Sequence, residues 1–227
     1  MPQSTIDSVI LELLERHTRE KDSPKDSTIE FKEGMLAMGS EGGRLVETIV
    51  RMAKPKRGLE IGTSSGFSAL CAMRGALSAY QDPAACPFQL ITVDFDSAKA
   101  AWARDNFERA GVGGKIKILV DDGIAAAEKV EAPLDYVLLD AAKEQTLPIF
   151  KLLLPKLSPG AVVLTDNMLT HEEELRSFAD FVRSHSDLTS AMYPIGNGVE
   201  VTIKLTERFI NQIVPGDSQA KLQKGNK

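Results

Sequence analysis

The sequence predicts an α/β fold, an open and mostly parallel sheet covered by helices on both faces. Three observations predict it. Between Arg57 and Asp166, five short apolar segments alternate with helical ones. Each of the five ends on or beside a carboxylic acid. Beyond residue 188 the alternation gives way to two adjoining strands. Strand–helix–strand alternation implies right-handed crossovers and parallel pairing.

The elements follow in order. Ile6, Val9, Ile10, Leu13 and Leu14 recur at helical spacing, which predicts an amphipathic helix over 5–20. The polar run Glu20–Asp26, with Pro24, reads as a connector. A second helix is expected over Glu41–Met52, stopping before Pro55. Strands are expected at Arg57–Ile61, Gln89–Asp94, Lys115–Val120, Leu134–Asp140 and Ala161–Asp166. Helices are expected between them, at Phe67–Tyr80, Ser97–Ala110, Ile124–Val130 and Glu144–Leu157. Thr170-His-Glu-Glu173 has the form of a capping box opening a helix that runs to about His185. Leu188–Pro194 and Val199–Leu205 flank Gly196-Asn-Gly198, which reads as a tight turn between two strands. The organisation expected is an N-terminal helix and connector over 1–40, one domain over 41–208, and a polar, mobile tail over 209–227.

Composition narrows the class. The 227 residues carry 27 Lys+Arg against 32 Asp+Glu, a net charge of −5, which argues against a nucleic-acid-coating surface. At 43% hydrophobic the chain is not a wholly disordered one. No apolar run approaches the ~18 residues that a membrane span needs. Two cysteines, Cys71 and Cys86, make no disulfide framework and fit a reducing compartment. Asp7 and Glu12 precede the first arginine, Arg16, so the N-terminus resembles neither a secretory signal nor a transit peptide. An intracellular, cytoplasmic enzyme is the expectation.

In an open parallel sheet, ligands bind beyond the carboxyl ends of the strands. There stand Glu60 with the loop Gly62-Thr-Ser-Ser-Gly66, then Asp94, Asp121-Asp122-Gly123, Asp140, and Asp166-Asn167. The loop departs from G-x-G-x-x-G at Ser64, which weakens a pyrophosphate cradle. A carboxylate at Asp94 can accept both hydrogen bonds of a ribose diol, or it can cap the helix from Ser97. The crowd of acids suits a nucleoside whose far end is cationic, such as S-adenosylmethionine, better than an anionic dinucleotide. Asp140, Asp166 and Asn167 offer three hard oxygens, suited to magnesium, calcium or manganese. Three residues after Asp140 stands Lys143, either a base beside a metal or an exposed lysine opening a helix.

At these residues the sequence resembles the cation-dependent class I O-methyltransferases, the family of catechol and caffeoyl-CoA O-methyltransferases. The matching stretches are Leu59-Glu-Ile-Gly-Thr-Ser-Ser-Gly-Phe-Ser-Ala-Leu70, Asp135-Tyr-Val-Leu-Leu-Asp-Ala-Ala-Lys143, Leu157-Ser-Pro-Gly160 and Thr165-Asp-Asn167. The resemblance implies a Rossmann-like, doubly wound, seven-stranded sheet with a reversed last strand. It implies that Asp140, Asp166 and Asn167 hold a divalent cation and that Lys143 is the general base. It sets S-adenosylmethionine against Met38, Glu60, Gly62, Thr63, Ser68, Asp94 and Asp140, with adenine near Asp122 and Gly123. The acceptor implied is a small vicinal aromatic diol of catechol, flavonoid or caffeoyl type, and a homodimer is the implied assembly. The chain departs from the family at Ala141 and Ala142, in the glycine-free run after Asn167, and in an insertion over Ser78–Pro87. These departures bear on the acceptor.

Two other readings stay open on the residues. One is a nicotinamide-dependent oxidoreductase, against which stand the missing G-x-G-x-x-G and the lack of a Tyr-x-x-x-Lys pair. The other is a non-enzymatic small-molecule binder. His17, His171 and His185 show no metal spacing and read as surface or capping residues. Cys71 and Trp102 read as packing residues.

Overall fold

The computed structural model describes residues 3–22 and 38–206. Its elements are α1 (Gln3–Asp22), α2 (Gly39–Ala53), β1 (Arg57–Ile61), α3 (Phe67–Ser78), β2 (Gln89–Asp94), α4 (Ser97–Arg109) and β3 (Ile116–Val120). They continue with α5 (Gly123–Lys129), β4 (Leu134–Leu139), α6 (Lys143–Leu153), β5 (Leu157–Thr165), α7 (Glu172–Ser184), β6 (Leu188–Tyr193) and β7 (Val199–Lys204). The connector beyond Asp22 and the tail over 209–227 lie outside the described residues.

The seven strands form one sheet in the order β3-β2-β1-β4-β5-β7-β6. The first five pair in parallel, and β7 runs antiparallel to both β5 and β6. Only the last strand is therefore reversed, as expected. The chain winds outward from β1 to β3 through α3 and α4 on one face. It then crosses back to β4 through α5 on the other. That reversal makes the β1/β4 junction the topological switch point, where a crevice opens at the strand ends.

Strand residues alternate between the two cores. Leu90, Tyr136, Leu138 and Leu164 pack beneath α1 to α4, whereas Leu59, Val93, Val137 and Val163 pack beneath α5 to α7. Helix α1 turns Ile6, Val9, Ile10 and Leu13 into the first core. Arg74 of α3 clamps it, donating to Asp7 at 3.0 Å and to Glu47 of α2 at 2.5 Å. Arg109 pairs with Glu12, and the Arg16 guanidinium lies 4.8 Å from the Trp102 ring. The apolar stripe of α1 is thus spent on its own domain, at about 1.5–3 kcal/mol of burial per large side chain.

Three local expectations need correction. Helix α1 runs on to Asp22, into the expected connector. Helix α6 stops at Leu153, because Pro155 interrupts it within a short 3-10 turn over Leu154–Lys156, and β5 starts at Leu157, not Ala161. Thr170 does not cap α7; the helix begins at Glu172, and Thr170 instead hydrogen-bonds His171 Nδ1 at 3.1 Å. The expected turn between β6 and β7 is present, as a five-residue loop, Pro194 to Gly198. Its main chain is held by Ile195 N–Tyr193 O and Gly198 N–Ile195 O bonds of 2.8 and 2.9 Å.

Candidate active site

Beyond β1 the chain turns through Gly62 at φ 102, Ser64 at φ 48 and Gly66 at φ 82. Gly62 N donates to Val93 O at 2.9 Å, and Asp140 N donates to Ile61 O at 2.9 Å, so the sheet ladder extends past the strand ends. Ser64 N donates to Asp94 Oδ2 at 2.8 Å, and Asp96 N to Asp94 Oδ1 at 3.0 Å. Asp94 therefore fastens the loop after β1 to its own strand end. The cap of α4 is Asp96, which accepts from Ala98 N and Lys99 N, so Asp94 is not that helix's cap.

A cavity of about 530 Å³ opens over these strand ends. Gly62, Asp94, Asp122, Gly123, Asp140, Lys143 and Asn167 line it. A narrow recess of about 20 Å³ continues from Gly62 and Asp140 past Met38, Thr63 and Ser68. Asp122 also caps α5, accepting from Ile124 N at 2.9 Å. Four carboxylates, Asp94, Asp121, Asp122 and Asp140, face two lysines, Lys99 and Lys143, around the main cavity.

Glu60 faces neither space. It is buried beneath the loop, where Ser68 Oγ donates to Oε1 at 2.6 Å and Thr92 Oγ1 to Oε2 at 2.5 Å. Burial pushes its carboxyl up to about 7, although the two hydroxyls pull the other way. Its place is below Ser68, which itself lines the recess.

The oxygen-rich group gathers where β4 and β5 end. Asp140 Oδ1 accepts from Lys143 Nζ at 3.0 Å and from Asn167 Nδ2 at 2.6 Å. Asp166 is buried, and its Oδ1 has no hydrogen-bond partner among the described residues. Burial, then the charge of Asp140, raises the Asp166 carboxyl to about 6. Asn167 takes a left-handed backbone at φ 69, and its Oδ1 accepts from Asn197 Nδ2 at 3.4 Å. Half a turn of its amide exchanges nitrogen for oxygen on the Asp140 side. A buried carboxylate oxygen without a donor, a second carboxylate and an amide together form a hard-oxygen set that fits a divalent cation. Such a cation would also satisfy the orphaned oxygen and relieve the repulsion between the two acids.

With this geometry in view, the comparisons with known proteins are decisive for the family. A family model described as O-methyltransferase matches residues 3–189. The chain belongs to the O-methyltransferase family. Within it, the chain is similar to a catechol O-methyltransferase of Mycobacterium tuberculosis, at 27% identity over 59% of this chain and 58% of that protein. It is 31% identical to a catechol O-methyltransferase of Bos taurus over 68% of this chain and 56% of that one. A caffeoyl-CoA O-methyltransferase of Arabidopsis thaliana matches at 23% over 84% and 81%. The chain thus spans under three fifths of the length of the mycobacterial and bovine enzymes. The O-methyltransferase TomG of Streptomyces achromogenes, solved with S-adenosylmethionine, shares the fold at a TM-score of 0.68 and 23% identity, covering 87% of this chain and 90% of that one.

Two cavity residues escape the sequence reading. Phe95, directly after the β2 acid, is 82% exposed and lines the cavity. An exposed aromatic on a ligand-sized cavity is a stacking surface, and its only sequence signal is its place after Asp94. His171, expected at the surface or in a capping role, stands at the N-cap position of α7 without a side-chain cap bond and also lines the cavity; its main-chain N–H donates to Asn167 O at 3.0 Å. Its nearness to Asn167 depends on a turn whose course the sequence pattern does not reveal.

Proposed function

We propose that the chain transfers a methyl group from S-adenosylmethionine to one hydroxyl of a vicinal aromatic diol, assisted by a divalent cation, magnesium by the chemistry of its donors. The observation that carries this reading is the meeting of Asp140, Asp166, Asn167 and Lys143 at the ends of β4 and β5, beside the acid-lined cavity. Asp94 is suited to accept the ribose hydroxyls, Phe95 to stack on the base, and Asp122 and Gly123 to border it. The recess past Met38, Thr63 and Ser68 suits the amino-acid end, with Glu60 holding Ser68 from below. The surplus of carboxylates favours a cationic cosubstrate over a pyrophosphate.

Asp140, Asp166 and Asn167 are the residues to hold the cation. When bound, a divalent cation supplies Lewis acidity that favours the ionised form of a phenolic hydroxyl. Lys143 Nζ takes the phenolic proton. The phenolic oxygen then forms its bond to the methyl carbon as the carbon–sulfur bond breaks, and the electron pair stays on sulfur. Holding donor and acceptor in line is the larger part of the rate enhancement.

The test is a methyl-transfer screen over catechols, flavonoids and caffeoyl esters, with magnesium and with chelator. Turnover of a diol that chelator abolishes and magnesium restores supports the reading. Undiminished turnover in chelator overturns the metal's part, and no transfer to any diol overturns the acceptor class.

A further inference from the structure

A second cavity, of about 440 Å³, lies on the face covered by α1 to α4, away from the strand ends that carry the cleft. It opens where β2 and β3 begin, between the ends of α2 and α3 and the segment following Ser78. That segment is the insertion over Ser78–Pro87. A short 3-10 turn, Pro83–Ala85, gives it shape, capped by Asp82, which accepts from Ala84 N at 2.9 Å. Cys86 anchors its far end in the core.

The walls differ in character. Leu77, Tyr80, Pro83 and Val112 supply an apolar side. On the other side stand two cations that no carboxylate neutralises among the described residues. Arg51 is exposed at the last turn of α2. Lys115 Nζ donates to Cys86 O at 2.7 Å and keeps further donor capacity. Arg74 also borders the space. Its two terminal nitrogens are taken by Asp7 and Glu47, and its Nε is buried, with no hydrogen-bond partner among the described residues.

We propose that this cavity is a second small-molecule site, separate from the catalytic cleft, for a ligand with a flat apolar body and one anionic group such as a carboxylate or sulfonate. Its volume is within the ~300–1,000 Å³ range of small-ligand sites. The apolar wall takes the body, and the side lined by Arg51 and Lys115 takes the anion; Glu47, which also lines the cavity, is paired with Arg74. The segment over Ser78–Pro87 closes the site.

The experiment titrates the full chain with anilinonaphthalene sulfonate, an aryl sulfonate, in saturating S-adenosylmethionine, following its fluorescence. One saturable equivalent is expected. Arg51→Glu should weaken it about tenfold or more, the equivalent of ~1.4 kcal/mol. Leu77→Glu should weaken it through the apolar wall. Arg104→Glu, the same charge change on α4 outside the cavity, should leave it unaltered. Melting curves establish that each variant is folded. Absence of saturable binding, equal loss in Arg51→Glu and Arg104→Glu, or displacement of the probe by S-adenosylmethionine each overturns the proposal.

Discussion

Gly62 and Asp140 touch across the topological switch point: a Cβ built on Gly62 would lie 2.4 Å from the Asp140 main-chain oxygen. The first residue after β1 and the first after β4 are therefore in contact through backbone alone. This contact joins the loop beside Asp94 to the carboxylate beside Lys143, so the two halves of the cleft share one wall. Gly62 is also at φ 102, a conformation that side-chain-bearing residues rarely adopt. Gly62→Ala should cost stability of about 1–3 kcal/mol from the backbone alone, and more from the clash. It should weaken S-adenosylmethionine binding at least about tenfold, because the strand ends must part. Calorimetric titration alongside thermal melting checks both effects, and wild-type affinity in a folded Gly62→Ala protein would refute the shared wall.

Asp166 is expected to separate stability from function. Its buried carboxylate repels Asp140 and leaves Oδ1 without a partner among the described residues. Asp166→Asn removes the charge while keeping the shape. In chelator at pH 8 the variant should melt no lower than the wild type, and by the relief of a buried charge somewhat higher. Magnesium-dependent methyl transfer should fall about a hundredfold or more, since a neutral amide is a poorer donor to a hard cation. Activity retained together with unaltered magnesium affinity would contradict its role as a ligand.

Glu60 controls a pH dependence of the fold. Its buried carboxyl is raised from 4.5 to about 7. Between those values the folded chain holds a proton that the unfolded chain has lost. The Glu60 contribution to stability is therefore greatest below pH 4.5 and is lost as pH rises through 7, about 3 kcal/mol in all. Asp166 adds a decline of the same sign, so the diagnostic is a difference. Glu60→Gln should lose less melting temperature between pH 5 and pH 8 than the wild type does. Parallel pH profiles for the two proteins would sink this account.

The parallel sheet and its strand-end acids are legible in the sequence because an apolar run of strand length that stops at a carboxylate, five times over, is hard to obtain by any other arrangement. Asp94, Asp122, Gly123, Asp140, Lys143 and Asn167 consequently appear on one cavity, as topology demands. Burial is not legible in the same way. Glu60, sealed by Ser68 and Thr92, and Asp94, on the cleft, face the same side of the sheet; they differ in that Glu60 stands one residue inside β1, beneath the loop, and Asp94 is the last residue of β2. Turns suffer likewise. Thr170 has the spacing of a cap, but Asn167 in its left-handed backbone draws the chain onto Gly198 through the Met168 N–Gly198 O bond of 3.0 Å, and α7 begins later.

Phe95 should matter for affinity and little for chemistry. The residue is 82% exposed at the cavity wall. Stacking on a nucleobase is worth ~1–3 kcal/mol. Phe95→Ala should thus raise the KM for S-adenosylmethionine about five- to a hundredfold with kcat largely kept, whereas Phe95→Tyr should restore binding. Loss of kcat at saturating cosubstrate would place the ring elsewhere in the reaction.

Lys143 is expected to show the opposite split. Its Nζ is 3.0 Å from Asp140 Oδ1 and 3.0 Å from the Ala141 carbonyl, so it stands fixed at the point where β4 ends. An acceptor hydroxyl held by the neighbouring oxygens would meet this amine before any other base on the cavity wall, apart from His171. Lys143→Met keeps the length and removes the proton acceptor. Proton transfer by a positioned group contributes about 10²–10⁴-fold, so kcat should fall within that range while the S-adenosylmethionine affinity stays near wild type. Lys143→Arg keeps a donor to Asp140 but has no form able to take a proton at neutral pH, so it should not restore turnover. The discriminating measurement is the pH–rate profile. If Lys143 is the base, the variant's rate should climb with pH as the acceptor ionises by itself, and strongly acidified catechols should be spared. Equal losses for acidic and ordinary catechols would reassign the proton to His171 or to water.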